Sequence, residues 1–162
     1  SSGVYSDKFA KKFGVKVPIQ SERGYHLELH ETDIKLKYPI MNGYLKLAIT
    51  PRPTGIRFAG LVEFGSLNSN PNLKAFELLM RNANSMFPGI KFKTKQEWSG
   101  HRPSTVDSLP IIGSSSVNKK IHFGYGHHHI GLTGGPKTGK ILSKTILRDN
   151  EKLDIEAFNP SR

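Results

Sequence analysis

The spacing of apolar positions along this chain changes repeatedly, and each change marks an element. Phe9, Ala10 and Phe13 fall on one helical face, with Ser6 placed to cap the start and Gly14 to end the turn. A helix that short needs neighbours to hold it. From Lys16 to Gly65 the period becomes two: Tyr25, Leu27 and Leu29 alternate with His26, Glu28 and His30, and Tyr44, Leu45, Leu47 and Ile49 form a second apolar-rich run, so both stretches read as strand. Pro51, Pro53 and Gly55 supply a turn that joins the second run to residues 56–64 as a hairpin. Leu73, Phe76, Met80, Ala83 and Phe87 then recur at helical spacing and predict a stripe packed on a sheet, with Asn70 or Asn72 as cap and Pro88-Gly89 as terminator. Strands follow at 91–99, 110–113 and 120–125, then a helix over 131–147 and a polar tail.

Strands and helices mix here without βαβ alternation, which predicts an α+β fold: a mostly antiparallel sheet with flanking helices. With 162 residues, 36% of them hydrophobic, the chain can build one globular domain with a core, or one domain and an appendage. A formal charge of +11 invites a polyanion reading. The lysines are scattered in pairs and triplets, however, and form no continuous basic block, so a solvated basic surface is the better account and no nucleic-acid partner is expected. The absence of cysteine excludes disulfides, a thiolate nucleophile and thiolate metal sites. No apolar run approaches the roughly 18 residues needed to span a bilayer.

Two segments carry candidate chemistry. The stretch from Gly124 to Lys140 follows an apolar strand and opens a helix, so its amides stand at a helix N-terminus, a place for an anion or for the polar edge of a ring. Gly134 to Lys140 fits a phosphate-loop pattern, but Ile141 stands where Ser or Thr would hold magnesium. His127, His128 and His129 suggest a metal, yet adjacent residues of an extended segment point to opposite faces and no carboxylate or thiolate stands close by in the chain. A flavin-contacting loop and a glycine-rich surface turn are the other readings. In the second segment, from Trp98 to Gly113, Arg102 stands before a rigid proline and can present a planar fork to a carboxylate; stacking on Trp98 or pairing with Asp107 are the alternatives.

The run from Trp98 to Gly113 resembles the W-x-G-x-R-P-x-T-x-D-x-L-P-I-I-G signature of D-amino-acid dehydrogenases in the D-amino-acid oxidase and glycine oxidase superfamily. Gly124 to Gly139 resembles the flavin loop of that family. Glu22-Arg23-Gly24-Tyr25-His26, the stretch from Gly55 to Glu63 and Gly3-Val4-Tyr5-Ser6 are similar to three further family segments.

That resemblance implies FAD as cofactor and oxidative deamination of D-amino acids to 2-oxo acids and ammonia, with electrons passed to an acceptor other than oxygen, a membrane-associated acceptor among the options. Glycine, sarcosine or D-hydroxyproline oxidation is the rival within the family; a basic domain binding nucleic acid or phosphate is the rival outside it. Arg102, Tyr25 and His129 are expected at the substrate, and Gly126, His127, His128, Gly131, Leu132 and Thr133 at the flavin; no side chain is expected to act as a strong base, and no metal is expected. The domain expectation is a partial FAD-domain segment over 1–20, a substrate domain over 21–109, FAD-domain strands and helix over 110–150, and a tail over 151–162. The dinucleotide fingerprint of such enzymes would precede residue 1, so the chain is expected to be the C-terminal part of a longer polypeptide, partnered by the rest of the FAD domain, and to be inactive alone. The expected location is the cytoplasm, with peripheral attachment to the inner membrane face as the alternative.

Overall fold

The computed structural model describes residues 2–148 and 154–162. It is α+β. A five-stranded sheet has the order β2-β3-β4-β1-β5, built from β1 (Ile19–His30), β2 (Ile40–Asn42), β3 (Leu47–Arg52), β4 (Gly55–Phe64) and β5 (Thr94–Thr105). A separate antiparallel pair joins β6 (Ile111–Ser114) to β7 (His122–Tyr125), with Ile111 opposite Tyr125 and Ser114 opposite His122. The helices are α1 (Ser6–Ala10), α2 (Leu73–Met86) and α3 (Gly131–Leu147).

The chain divides into two compact units, one of residues 1–22 and 101–162, the other of residues 23–100. Both boundaries fall inside strands, β1 and β5. The sequence reading drew its divisions after residue 20 and after residue 109. Residues 149–153, shared between the expected helix segment and tail, lie outside the described residues. Residues 154–162 belong to the first unit, where Pro160 is fully buried and its carbonyl accepts from the Lys16 N–H at 3.4 Å.

In the 23–100 unit the two-residue period of β1 sends Tyr25, Leu27 and Leu29 into a core with Leu47, Ile49, Ile56, Phe58 and, from α2, Phe76, Leu79 and Ala83. Asn72 caps α2 by accepting from the Lys74 N–H at 3.1 Å. The predicted stripe is shifted: Leu79 is fully buried, whereas Leu73 is 68% exposed because it starts the helix, where side chains lean back past the first turn. The expected hairpin forms between β3 and β4, with Arg52 opposite Gly55. Tyr44 and Leu45 were expected in that strand and instead belong to the turn before it, Tyr44 being 94% exposed, while the short edge strand β2 was not foreseen.

In the other unit Ala10, Val15, Val17 and Ile111 form a small core, with Ile19, Phe123 and Tyr125 against it. Gly14 ends the first helical segment with φ +83°, a left-handed conformation suited to glycine, as expected. Ser6 does not cap: a 3-10 turn over Gly3–Tyr5 precedes α1, so Ser6 is already helical, and Phe9 is 61% exposed while Ala10 faces the core. The strand expected to end at residue 99 runs on through Arg102 and Pro103 to Thr105. That is permitted because β5 stands at the end of the sheet order, where a residue without an N–H costs no ladder bond on its open side.

Candidate functional site

Within the unit of residues 1–22 and 101–162, three stretches distant in sequence meet at one buried carboxylate. Glu22, near the start of β1, is 5% exposed. Its Oε2 accepts from the Ser104 hydroxyl at 2.6 Å, and its Oε1 lies 2.8 Å from His129 Nε2. Arg102 Nη1 stands 3.7 Å from Oε1, and His128 Nδ1 stands 3.7 Å from Oε2. Burial alone would raise the Glu22 pKa; the Ser104 hydrogen bond and the electrostatic influence of His129, Arg102 and His128 together outweigh it, so the carboxyl is held below its ordinary range.

Arg102 is the least satisfied member of this group. Its Nη1 is buried and has no hydrogen-bond partner among the described residues, and its ion pair with Glu22 is too long to be a hydrogen bond. The alternatives raised for it are not realised: Trp98 stacks on His26 with centroids 4.8 Å apart, and Asp107 is gripped by Arg162 through Nε at 2.6 Å and Nη2 at 3.1 Å. That two-point grip holds the Asp107 carboxyl well below the usual carboxylate range.

The loop after β7 is set by its backbone. Gly126 has φ +81°, and a Cβ there would lie 3.1 Å from Thr105 Cγ2. His128 adopts φ +49°, uncommon for a residue with a side chain and maintained only where surroundings enforce it. The enforcing contacts are visible: the Thr105 N–H donates to His128 Nε2 at 2.9 Å, while the Thr105 hydroxyl is used on the Leu109 carbonyl at 2.8 Å. His128 Nε2 therefore accepts, which puts the ring proton on Nδ1, the nitrogen beside Glu22. His127 Nε2 lies 2.8 Å from Thr138 Oγ1, whose hydroxyl donates to the Gly134 carbonyl at 3.1 Å. Burial lowers the His127 pKa.

Gly131, Leu132 and Thr133 make the first turn of α3, whose leading N–H groups have no intrahelical acceptor. A cleft of about 530 Å³ opens beside them, lined by Phe9, Pro103, Gly126, His127, His128 and Gly131 among others; Leu132, 92% exposed, and Thr133 do not line it. The phosphate-loop pattern is not a loop at all, since Gly134 to Lys140 is wound into α3. Among the described residues no group of three metal-ligating side chains is arranged to hold an ion. No helix among them is long and apolar enough to cross a membrane.

Tyr25 lies in the other unit, 2% exposed, its ring edge-on to Phe76. Its hydroxyl donates to Glu63 and accepts from the Asn72 N–H, so only a lone pair remains for any ligand. A second carboxylate cluster also stands in that unit: Glu28 receives Arg57 Nε at 2.6 Å and has Arg52, His26 and His30 within 4.0 Å. A cleft of about 600 Å³ near His30 and Arg52 contains none of the expected site residues.

Sequence reasoning assigned no role to Glu22, Ser104, Thr105 or Thr138. Glu22 was visible only as one letter of a matched motif; a carboxylate between Ser21 and Arg23 carries no local sign that Arg102 and His129 will close over it.

The fold is shared with crystal structures of a glycine oxidase and an L-proline dehydrogenase. The chain superposes over its full length on 44% of the crystal structure of glycine oxidase from Geobacillus kaustophilus, with a TM-score of 0.84 at 18% identity. It likewise covers 45% of L-proline dehydrogenase from P. horikoshii at a TM-score of 0.79 and 15% identity. Residues 1–145 match the profile of the FAD dependent oxidoreductase family DAO, and the chain belongs to that family. Across its whole length it is 31% identical to a D-amino-acid oxidase of Bradyrhizobium diazoefficiens and 34% identical to a glycine oxidase of Bacillus licheniformis, spanning 39% and 44% of those proteins.

The site suits the cofactor that defines the family. The amides of the first turn of α3, which have no intrahelical acceptor, and the adjoining cleft, lined by Gly126 and Gly131, match the needs of a ring with a polar edge.

Proposed function

We propose that this chain is the substrate-binding part, with a portion of the flavin-binding part, of an FAD-dependent enzyme that oxidatively deaminates D-amino acids. The observation that carries the reading is Arg102: a buried guanidinium nitrogen with no hydrogen-bond partner, beside a carboxylate that balances its charge without bonding to it. Such a group is ready for a planar anion, and the carboxylate of an amino acid fits it.

Bound FAD would take the hydride equivalent from the substrate Cα. The chain's own residues bind and orient. Arg102 fixes the substrate carboxylate; Gly126, His127, His128 and the first turn of α3 border the ring system; His129, on Glu22, stands beside the arginine. No side chain of the site needs to act as a strong base if the amine arrives neutral. Electrons then leave to an acceptor other than oxygen, on the cytoplasmic side. The glycine oxidase among the relatives supports glycine or a secondary amino acid as the competing substrate class.

The test is the absorption spectrum of the full-length protein during anaerobic titration with D-alanine, glycine, sarcosine, D-hydroxyproline and L-alanine. Bleaching of the flavin band by D-alanine ahead of the others is expected. Bleaching by glycine or sarcosine alone would move the assignment to the competing class, and no bleaching by any of the five would end it.

A further inference from the structure

We propose that Glu22 is the positioning residue of this site, holding Arg102 and the His128–His129 turn in register so that an incoming carboxylate meets a pre-aimed guanidinium. The inference rests on reading Arg102 as the carboxylate ligand, and goes beyond it by assigning the group that makes Arg102 competent.

Glu22 joins separate parts of the chain: it stands on β1, Ser104 and Arg102 on β5, and His128 and His129 on the loop before α3. Ser104 donates to Oε2 at 2.6 Å and His129 Nε2 stands 2.8 Å from Oε1, so a neighbour holds each oxygen of the carboxylate. Fixed in this way, it meets two requirements that conflict elsewhere. A guanidinium with one nitrogen buried is costly without a counter-charge, so an anion near Arg102 stabilises it. A carboxylate bonded directly to Arg102 would use up the fork that a substrate needs.

The spacing resolves the conflict. At 3.7 Å from Nη1, Oε1 supplies the charge and leaves the nitrogen's hydrogens unspent. His129 Nε2, at 2.8 Å from that same Oε1, stands on the oxygen that would otherwise draw the arginine into contact. The opposite outcome appears around Glu28, where His26 and His30 stay 3.8 Å and 4.0 Å away and Arg57 donates to the carboxylate through Nε at 2.6 Å, with Nη2 against the same oxygen.

The experiment uses the full-length, flavin-loaded enzyme and measures KM, kcat, the Kd of pyruvate from its perturbation of the flavin spectrum, and Tm. Glu22→Gln is expected to raise KM and the pyruvate Kd together by about tenfold, through a misplaced charge-assisted pair, with kcat within about threefold. Glu22→Asp keeps the charge but shortens the reach, and should fall between. His129→Ala, at a side chain 56% exposed, is expected to raise both constants by about threefold or more as Arg102 closes on Glu22.

A fall in Tm and kcat with KM and pyruvate Kd unmoved would show a merely structural role and overturn the proposal. If Glu22→Gln does not fold, His129→Ala decides, and unchanged constants there overturn it equally. Arg102→Ala run in parallel separates the two claims. If it leaves KM unmoved, the carboxylate reading itself fails; if it raises KM while Glu22→Gln and His129→Ala do not, only the positioning role fails.

Discussion

Glu22 and Glu28 lie on the same strand, both nearly buried and both surrounded by arginine and histidine, yet they have been put to opposite uses. Around Glu28 the ion pair is closed: Arg57 bonds it directly, and Arg52, His26 and His30 stand behind. Around Glu22 it is open: Ser104 donates to it, His129 stands 2.8 Å away, and the arginine is held at charge distance with a nitrogen unbonded. Composition is therefore a poor guide to which cluster recognises a ligand. What distinguishes them is whether the cation's hydrogen-bonding capacity is used up inside the protein.

The comparison can be broken from either side. The largest effect is expected from Glu28→Gln, which leaves Arg57, one-third exposed, beside a neutral amide; losing such a charge-assisted hydrogen bond costs up to about 3 kcal/mol, to be read from urea unfolding. The substrate KM should stay the same, and a KM that rose as much as in the Arg102 variant would erase the distinction between the clusters. Next comes Arg102→Ala, expected to weaken carboxylate binding by about 1.5–3 kcal/mol in KM or pyruvate Kd, with a smaller change in unfolding free energy than Glu28→Gln.

Acid should act on both clusters. Burial works against ionisation of Glu22 and Glu28, but hydrogen bonds and neighbouring cations outweigh it and depress both carboxyls. A depressed folded-state pKa contributes stability that is complete above the unfolded carboxylate range and disappears as pH falls through the folded value. Urea midpoints should thus drop as pH falls below the ordinary glutamate range, and the Glu22→Gln, Glu28→Gln double variant should show a flatter profile. The smallest effect is that of Thr138→Val, about 1 kcal/mol of stability from the loss of two side-chain hydrogen bonds, with His127 and with the Gly134 carbonyl. A larger shift in the flavin spectrum than in Tm would place those bonds on the functional side.

How much of this was legible in the residue order differs by element. The period of two in β1 and the Asn72 cap of α2 are local signals, and local physics was sufficient for them. The extent of α3 was also readable, from a glycine-rich opening to a long apolar-spaced run, although it contains Pro136. The run of β5 through Pro103 was not, because whether a proline breaks a strand depends on whether its open side faces a partner, which only the sheet order decides. Arg102 and the histidine loop could be named from motifs, but the carboxylate uniting them could not: its meaning lies in contacts to residues far along the chain.

One small hydroxyl fixes the character of the cleft wall. Thr138 owns a single hydrogen, and the Gly134 carbonyl receives it. The imidazole at position 127 must then bring the hydrogen of its 2.8 Å contact from Nε2, which in the neutral ring favoured by burial leaves Nδ1 bare. Nδ1 of His127 thus carries an electron pair and no proton, so a partner on that nitrogen has to arrive carrying its own N–H or O–H.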